Sequence, residues 1–331
     1  MPSLPFPRLP QLAQAKIIKS LSLKDVIVLS SCSRKTCLMF KASTYKVAKV
    51  IWKIEKDYFK ISITRNDSES IHIHFLFSTG FMDRFDLILN TIKLSVNARN
   101  MLITHHKDNV PFEKISEFVL NAFRIQKHSL ETDIDFFPTT SPMWKLFKNA
   151  ENLTVGGKMG SEDVRRILED VKTSGTLNLK FKTEEGWKYS EGLKHEDVKI
   201  KEPTWLNFNA VLSSESRYIN LEVYRPTNGE LAAFIQKWTS GSGLLNLSFL
   251  LMTLPDEQDV TDADGDEIFD GIDTFEWRGD GRRQEVVFEN KTIRICLDGA
   301  IGLRRETDGK MAAFGQWGNK VIFLDAEQVI I

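Results

Sequence analysis

Only three cysteines, Cys32, Cys37 and Cys296, occur in 331 residues, and no two of them form a C-x-x-C pair. An odd, scattered set excludes a disulfide framework and fits a reducing compartment. Long apolar runs are also missing. The longest uncharged stretch, 238–255, holds two Gly, three Ser, two Thr and one Asn, whereas a membrane span needs about 20 mostly apolar residues. No transmembrane helix is expected. Pro2, Pro5, Pro7 and Pro10, with Arg8 among them, interrupt any apolar stretch a secretory signal would use. The protein is therefore expected to stay inside the cell, in the cytoplasm or nucleus. Catalytic signatures are absent too: there is no G-x-S-x-G, H-E-x-x-H, P-loop or G-x-G-x-x-G. What remains is ordinary globular composition, 42% hydrophobic and 27% charged. At about 100 to 200 residues per domain, the length suggests two domains able to bury their own cores.

The net charge is −1, but it is unevenly spread. Residues 1–65 carry 13 Lys/Arg against Asp25, Glu55 and Asp57, and residues 256–273 carry nine Asp/Glu and no Lys/Arg. A basic end suits nucleic acid, an anionic membrane surface or an acidic protein. Like charges so dense cannot be buried, so the acidic stretch reads as a solvated loop. Asp262, Asp264 and Asp266 begin like a calcium loop, but the sharp-turn glycine position is Glu267 and the bidentate Glu position is Asp273. His72 and His74 share a strand face without an acidic or Cys partner at ligand spacing, and His105 and His106 point apart. No metal, cofactor or catalytic group is expected, and the chain is read as a non-enzyme.

Apolar spacing predicts the organisation. Leu12, Ala13, Ala15, Ile17, Ile18 and Leu21 mark one short helix; Val26, Ile27, Leu29 and Cys32 mark a second, capped by Ser22. A third begins near Arg34. Three short helices make a very small core, which is expected to complete itself on a partner. Period-two alternation from Val47 to Ile54, Phe59 to Thr64 and Ile71 to Phe75 predicts strands, the last two forming a hairpin around Asn66-Asp67-Ser68. A helix is predicted from Pro111 to Ile125.

From Asn152 a strand–helix–strand pattern recurs. Leu153-Thr154-Val155 leads to a helix from Ser161 and a strand at Leu177-Asn178-Leu179 about 24 residues on. Ile219-Asn220-Leu221 leads to a helix capped by Thr227-Asn228 and a strand at Leu245-Asn246-Leu247 about 26 residues on. Trp205-Leu206-Asn207-Phe208 is a further strand candidate that breaks the spacing. Single helices between strands imply parallel pairing, and a period in the twenties is leucine-rich-repeat-like. Short strands near Val286, Thr292, Ile301, Met311 and Val321, separated by Asp298-Gly299, Asp308-Gly309 and Gly318-Asn319, predict an antiparallel meander. The fold class is mixed α/β, with boundaries at 1–43, 44–150 and 151–331.

Phe6-Pro7-Arg8-Leu9-Pro10, Ile17-Ile18-Lys19, Asp25-Val26, Leu29 and Cys32-Ser33-Arg34-Lys35 closely resemble an F-box, in the variant form of the nematode families. Ser22-Leu23 replaces the family's Asp-Pro. The resemblance implies a Skp-type adaptor as partner and, through it, a cullin. That adaptor is acidic, so the basic N-terminal stretch would have a protein partner and need no nucleic acid. It also implies that Leu9, Pro10, Ile17, Ile18, Leu21, Val26, Leu29 and Cys32 lie at or beneath the adaptor interface. The other reading is a helical hairpin that merely packs on its own domain. Farther on, Trp205-Leu206, Ile219-Asn220-Leu221, Asn228, Leu231, Phe234, Ile235, Trp238, Gly241 and Ser242, with 303–312, resemble a type-2 F-box-associated domain. Together these imply a substrate-recognition subunit of an SCF-type ubiquitin ligase, or an adaptor-binding scaffold or decoy without a transfer role. An unidentified protein target would meet the loops after the repeat strands or the acidic 256–273 stretch, which suits a basic target.

Overall fold

In the computed structural model the chain divides into two units, Met1–Glu151 and Asn152–Ile331. The structure describes residues 9–32, 36, 38–40, 45–55, 58–66, 69–76, 86–89, 92–97, 101–105, 112–135, 139–255, 268–277, 284–288, 291–295 and 299–326.

In the first unit, α1 (Gln11–Ser20) and α2 (Leu23–Cys32) follow the apolar spacing. Of the third expected helix, residues 36 and 38–40 are helical and the rest lies outside the described residues. Strands β2 (Tyr58–Asn66) and β3 (Glu69–Leu76) form the expected hairpin, and β1 (Lys46–Ile54) pairs antiparallel with β2. Beyond β3 lie β6 (Met101–His105), β5 (Ile92–Asn97) and β4 (Asp86–Leu89), and β7 (Arg124–Asp133) pairs parallel to β1 on the other side. Helix α3 (Phe112–Ala122) ends before Ile125, because the β1 ladder captures Arg124 and Ile125 opposite Lys46 and Val47. The core centres on Trp52, fully buried, stacked on Phe59 and His128 and edge-on to Phe147. Strand β8 (Asn149–Ala150) ends the unit.

The second unit is built on five parallel strands: β9 (Asn152–Met159), β11 (Thr176–Thr183), β12 (Asp197–Lys201), β13 (Tyr218–Glu222) and β14 (Phe249–Thr253). Leu153, Leu177, Val198, Ile219 and Leu250 stand in register across them. Helix α4 (Ser161–Arg165), which runs on as a π-turn to Asp170, and the short β10 (Lys172–Thr173) connect the first two. Helix α5 (Phe208–Leu212) precedes β13, and α6 (Asn228–Thr239) links β13 to β14. A capping box starts α6: Glu230 N donates to Thr227 Oγ1 at 3.2 Å and Thr227 N to Glu230 Oε2 at 2.8 Å. Next to β14 the sheet turns antiparallel through β20 (Lys320–Asp325), β19 (Met311–Trp317), β18 (Ile301–Arg304) and β15 (Thr274–Glu276).

Three expectations are corrected here. Trp205-Leu206-Asn207-Phe208 is not a strand, because Asn207 caps α5, its Oδ1 accepting from Asn209 N at 2.9 Å. The strand sits instead at β12, whose two apolar residues alternate with Asp197, Lys199 and Lys201. Leu245-Asn246-Leu247 is a turn and β14 starts at Phe249, since Leu244 takes a left-handed φ of 57° and Leu247 N closes back on Leu244 O. Finally, β16 (Gln284–Phe288) and β17 (Lys291–Ile295) form a two-stranded sheet of their own, so the meander has fewer strands than expected.

The motif residues at 238–242 and 303–312 meet. Arg305, 2% exposed, lays its guanidinium 5.2 Å from the Trp238 ring and binds Asp308 bidentately at 2.9 and 2.6 Å. Glu306 N donates to Thr239 O at 2.7 Å. Gly241, at φ +67°, leaves no room for a Cβ, which would stand 2.3 Å from Thr307 Oγ1. Gly241→Ala is therefore expected to destabilise the unit by about 1–3 kcal/mol in urea unfolding. The Arg305 guanidinium holds the Asp308 carboxyl down to about 2. A depressed carboxylate contributes stability above its unfolded range near 4 and loses it as pH falls toward 2. Asp308→Asn should thus lower the urea midpoint at pH 7, and the gap to wild type should narrow at pH 3.

Candidate protein-docking surface

Pro10 is the N-cap of helix α1 and has no backbone N–H to leave unsatisfied at the helix entry; Gln14 Nε2 donates to Leu9 O at 2.7 Å and Gln14 N to Pro10 O at 3.0 Å. Ser22 caps α2 reciprocally, its Oγ accepting from Asp25 N at 3.1 Å and donating to Asp25 Oδ2 at 2.6 Å. The Ser22 side chain thus does locally what an Asp-Pro turn would do. Ile18, Leu23, Val26, Ile27 and Phe40 form the buried side of the helices.

Several large apolar side chains of the segment stay exposed beside this buried set. Leu12 is 72% exposed, Ile17 40%, Leu29 39% and Leu38 49%, and these are four of the eight large apolar residues exposed among the described residues. Isolated exposed leucines are ordinary, but half of the exposed set within one short helical segment makes that segment the candidate docking surface. Exposed Lys16 and Lys19 lie on the same helix as Leu12 and Ile17.

The turn between α1 and α2 is held from outside. Arg65 on β2 donates through Nη2 to Lys19 O at 2.7 Å and through Nη1 to Leu21 O at 3.1 Å. It also pairs with Glu69 Oε2 at 3.1 Å and lies 4.8 Å from the Tyr45 ring. Tyr45 OH donates to Leu21 O at 3.2 Å, and the other Glu69 oxygen accepts from Leu23 N. Burial pushes the Tyr45 hydroxyl up to about 12, so it keeps its donor proton throughout neutral pH. The carbonyls ending α1 and the first N–H of α2 are thus satisfied by side chains from Tyr45 and the β2–β3 hairpin.

The model of the F-box domain matches residues 6–45. These residues are an F-box domain. No curated protein and no solved structure matches the chain. An F-box points in general to a substrate-recognition role in SCF-type ubiquitin ligases, implies a Skp-type adaptor as partner, and is typical of non-enzymatic subunits.

Within the F-box the eight residues singled out from sequence separate into layers. Pro10, Ile17 and Leu29 are exposed, Leu9 and Leu21 are half-buried, and Ile18 and Val26 are buried beneath. Cys32 ends α2 and its side chain lies outside the described set. Leu12 and Leu38, the most exposed large apolar residues among the described residues of the F-box, were not singled out, because their spacing matched the apolar face read as core. The roles of Arg65, Glu69 and Tyr45 are not legible in the sequence, since bonds spanning 24 to 46 residues leave no local signal.

Elsewhere, His72 Nδ1 lies 2.9 Å from Ser62 Oγ and burial lowers its pKa, while the His74 side chain lies outside the described residues. Among the described residues no three His, Cys, Asp or Glu gather as a metal group, and no helix is long and apolar enough to cross a membrane. The acidic stretch at 256–267 lies outside the described residues, as do His106 and most of the 278–298 region between β15 and β18 apart from β16 and β17.

Proposed function

We propose that the chain is the substrate-recognition subunit of an SCF-type ubiquitin ligase. The F-box docks a Skp-type adaptor, and through it a cullin, while the second unit holds a protein target. The observation that supports this best is the exposed set of Leu12, Ile17, Leu29 and Leu38 on a matched F-box. The leucine-rich-repeat-like parallel strands and the likeness of 205–312 to a type-2 F-box-associated domain of nematodes support a target-holding role. Such a subunit works by raising the effective concentration of target near a charged ubiquitin carrier, and contributes no catalytic group itself. It acts inside the cell, in the cytoplasm or nucleus, without a cofactor.

The test is co-expression with a Skp-type adaptor, a cullin and its RING partner. The chain should purify in a stoichiometric complex that supports ubiquitin transfer to a bound protein. A chain that purifies alone as a stable monomer in the presence of adaptor would sink the reading. A complex that never supports transfer would leave a scaffold or decoy in its place.

A further inference from the structure

The sheet of the second unit has two faces. Phe323 of β20 contacts Phe234 at 5.3 Å and Trp238 at 5.1 Å on α6, so the row containing its partner Leu250 faces the helices. The alternate residues lie on the opposite face. There one registered row reads Thr154, Asn178, Lys199, Asn220, Leu251 and Ile322 from β9 to β20.

This row changes chemistry along its length. At the β9–β12 end, Lys158 stands directly beside Lys182 across the ladder, and Lys180 and Lys201 each follow the paired Leu179 and Ile200. All four are exposed. Lys182 reaches Glu202 at 3.4 Å and Lys199 reaches Glu222 at 2.8 Å, while Lys158, Lys180 and Lys201 have no ion-pair partner among the described residues. Like charges side by side on neighbouring strands destabilise a sheet, which an anionic partner would reverse. In the middle, Asn220 is 5% exposed and its Oδ1 has no hydrogen-bond partner, nor does Asn178 Oδ1. Toward β19, half-buried Leu251, Tyr218 and Trp317 pack on the Phe249 and Ile322 core, with the Trp317 indole over Gly315.

We infer that this face binds an extended acidic peptide that crosses the strands, its carboxylates over Lys180 and Lys201 and an apolar side chain over Leu251 and Trp317. Glu222, between the lysines and the apolar end, repels a continuous phosphate track and so disfavours nucleic acid. From β12 to β19 is four strand steps, about 19 Å, which an extended peptide spans in about six residues. The ligand is therefore an acidic cluster followed or preceded, about six residues away, by a large apolar residue. The inference deepens the target-holding half of the proposed function and is measured without the adaptor, so failure of either leaves the other standing.

The test uses the full chain and a fluorescein-labelled 12-residue peptide with three Glu at one end and Leu-Phe six residues on. Anisotropy should show saturable binding that weakens with salt, and at least tenfold weaker binding to the version with Gln for Glu. Lys180→Glu with Lys201→Glu should abolish it, and Lys194→Glu, elsewhere on the surface, should not. Lys180→Gln with Lys201→Gln, checked by circular dichroism, guards against a folding defect. Equal binding by wild type and the double reversal would overturn the inference. So would binding of single-stranded RNA with no binding of the peptide.

Discussion

Replacing Arg65 with Met is expected to loosen α1 and α2 while leaving the β1–β2–β3 sheet in place. The substitution keeps the stem but removes the donors to Lys19 O and Leu21 O and the pair with Glu69. Charge-assisted bonds are worth about 1.5–3 kcal/mol each when buried, and the Arg65 side chain is 28% exposed, so a loss of about 2 kcal/mol for the set is expected. Hydrogen exchange of the full chain should show faster exchange at 11–32 and unchanged protection in β1 and β2. Adaptor capture should fall with it, because the docking surface would have to be ordered upon binding. Tyr45→Phe removes one of these bonds and should lose about 1 kcal/mol. Unchanged exchange in Arg65→Met would mean that the helices hold their turn unaided.

The second large effect separates surface from core inside one helix turn. Ile17→Asp with Leu29→Asp changes side chains already 40% and 39% exposed, so the unfolding midpoint should move little. Adaptor co-purification should be lost, because a carboxylate desolvated in an apolar interface without a partner costs several kcal/mol. Ile18→Asp changes a residue that is 1% exposed and should unfold the helical pair, through the same charge placed in the core. Adaptor binding that survived the double variant with the fold intact would move the docking surface elsewhere.

Which parts could be read from sequence follows from how local their causes are. The two helices and the β2–β3 hairpin depend on apolar spacing and on the Ser22 cap, and these were legible. Strand β12 was hidden because Val198 and Ile200 alternate with three charged residues, a pattern that an exposed loop shares. Leu245-Asn246-Leu247 has the strand period, yet Leu247 is buried in a turn; alternation records burial, and backbone direction has to come from elsewhere. The lysine and asparagine face was invisible for a further reason. Lys158, Lys180 and Lys201 come together only once the register of three parallel strands is known. Arg65 could be counted in the basic N-terminal stretch, but its role as a clamp required the fold.

The order of strands in the second unit also bears on how the chain is made. Strand β20, the last one described, lies between β14 and β19, in the interior of the sheet. As the chain leaves the ribosome, β9 to β14 can pair as they emerge, but β14 keeps an open edge until residues 320–325 arrive. An unpaired, apolar edge strand invites pairing with another chain. Phe234 and Trp238 wait for Phe323 over the same interval. The second unit therefore closes late in its own synthesis, and it stays prone to aggregation until residues 320–325 have emerged.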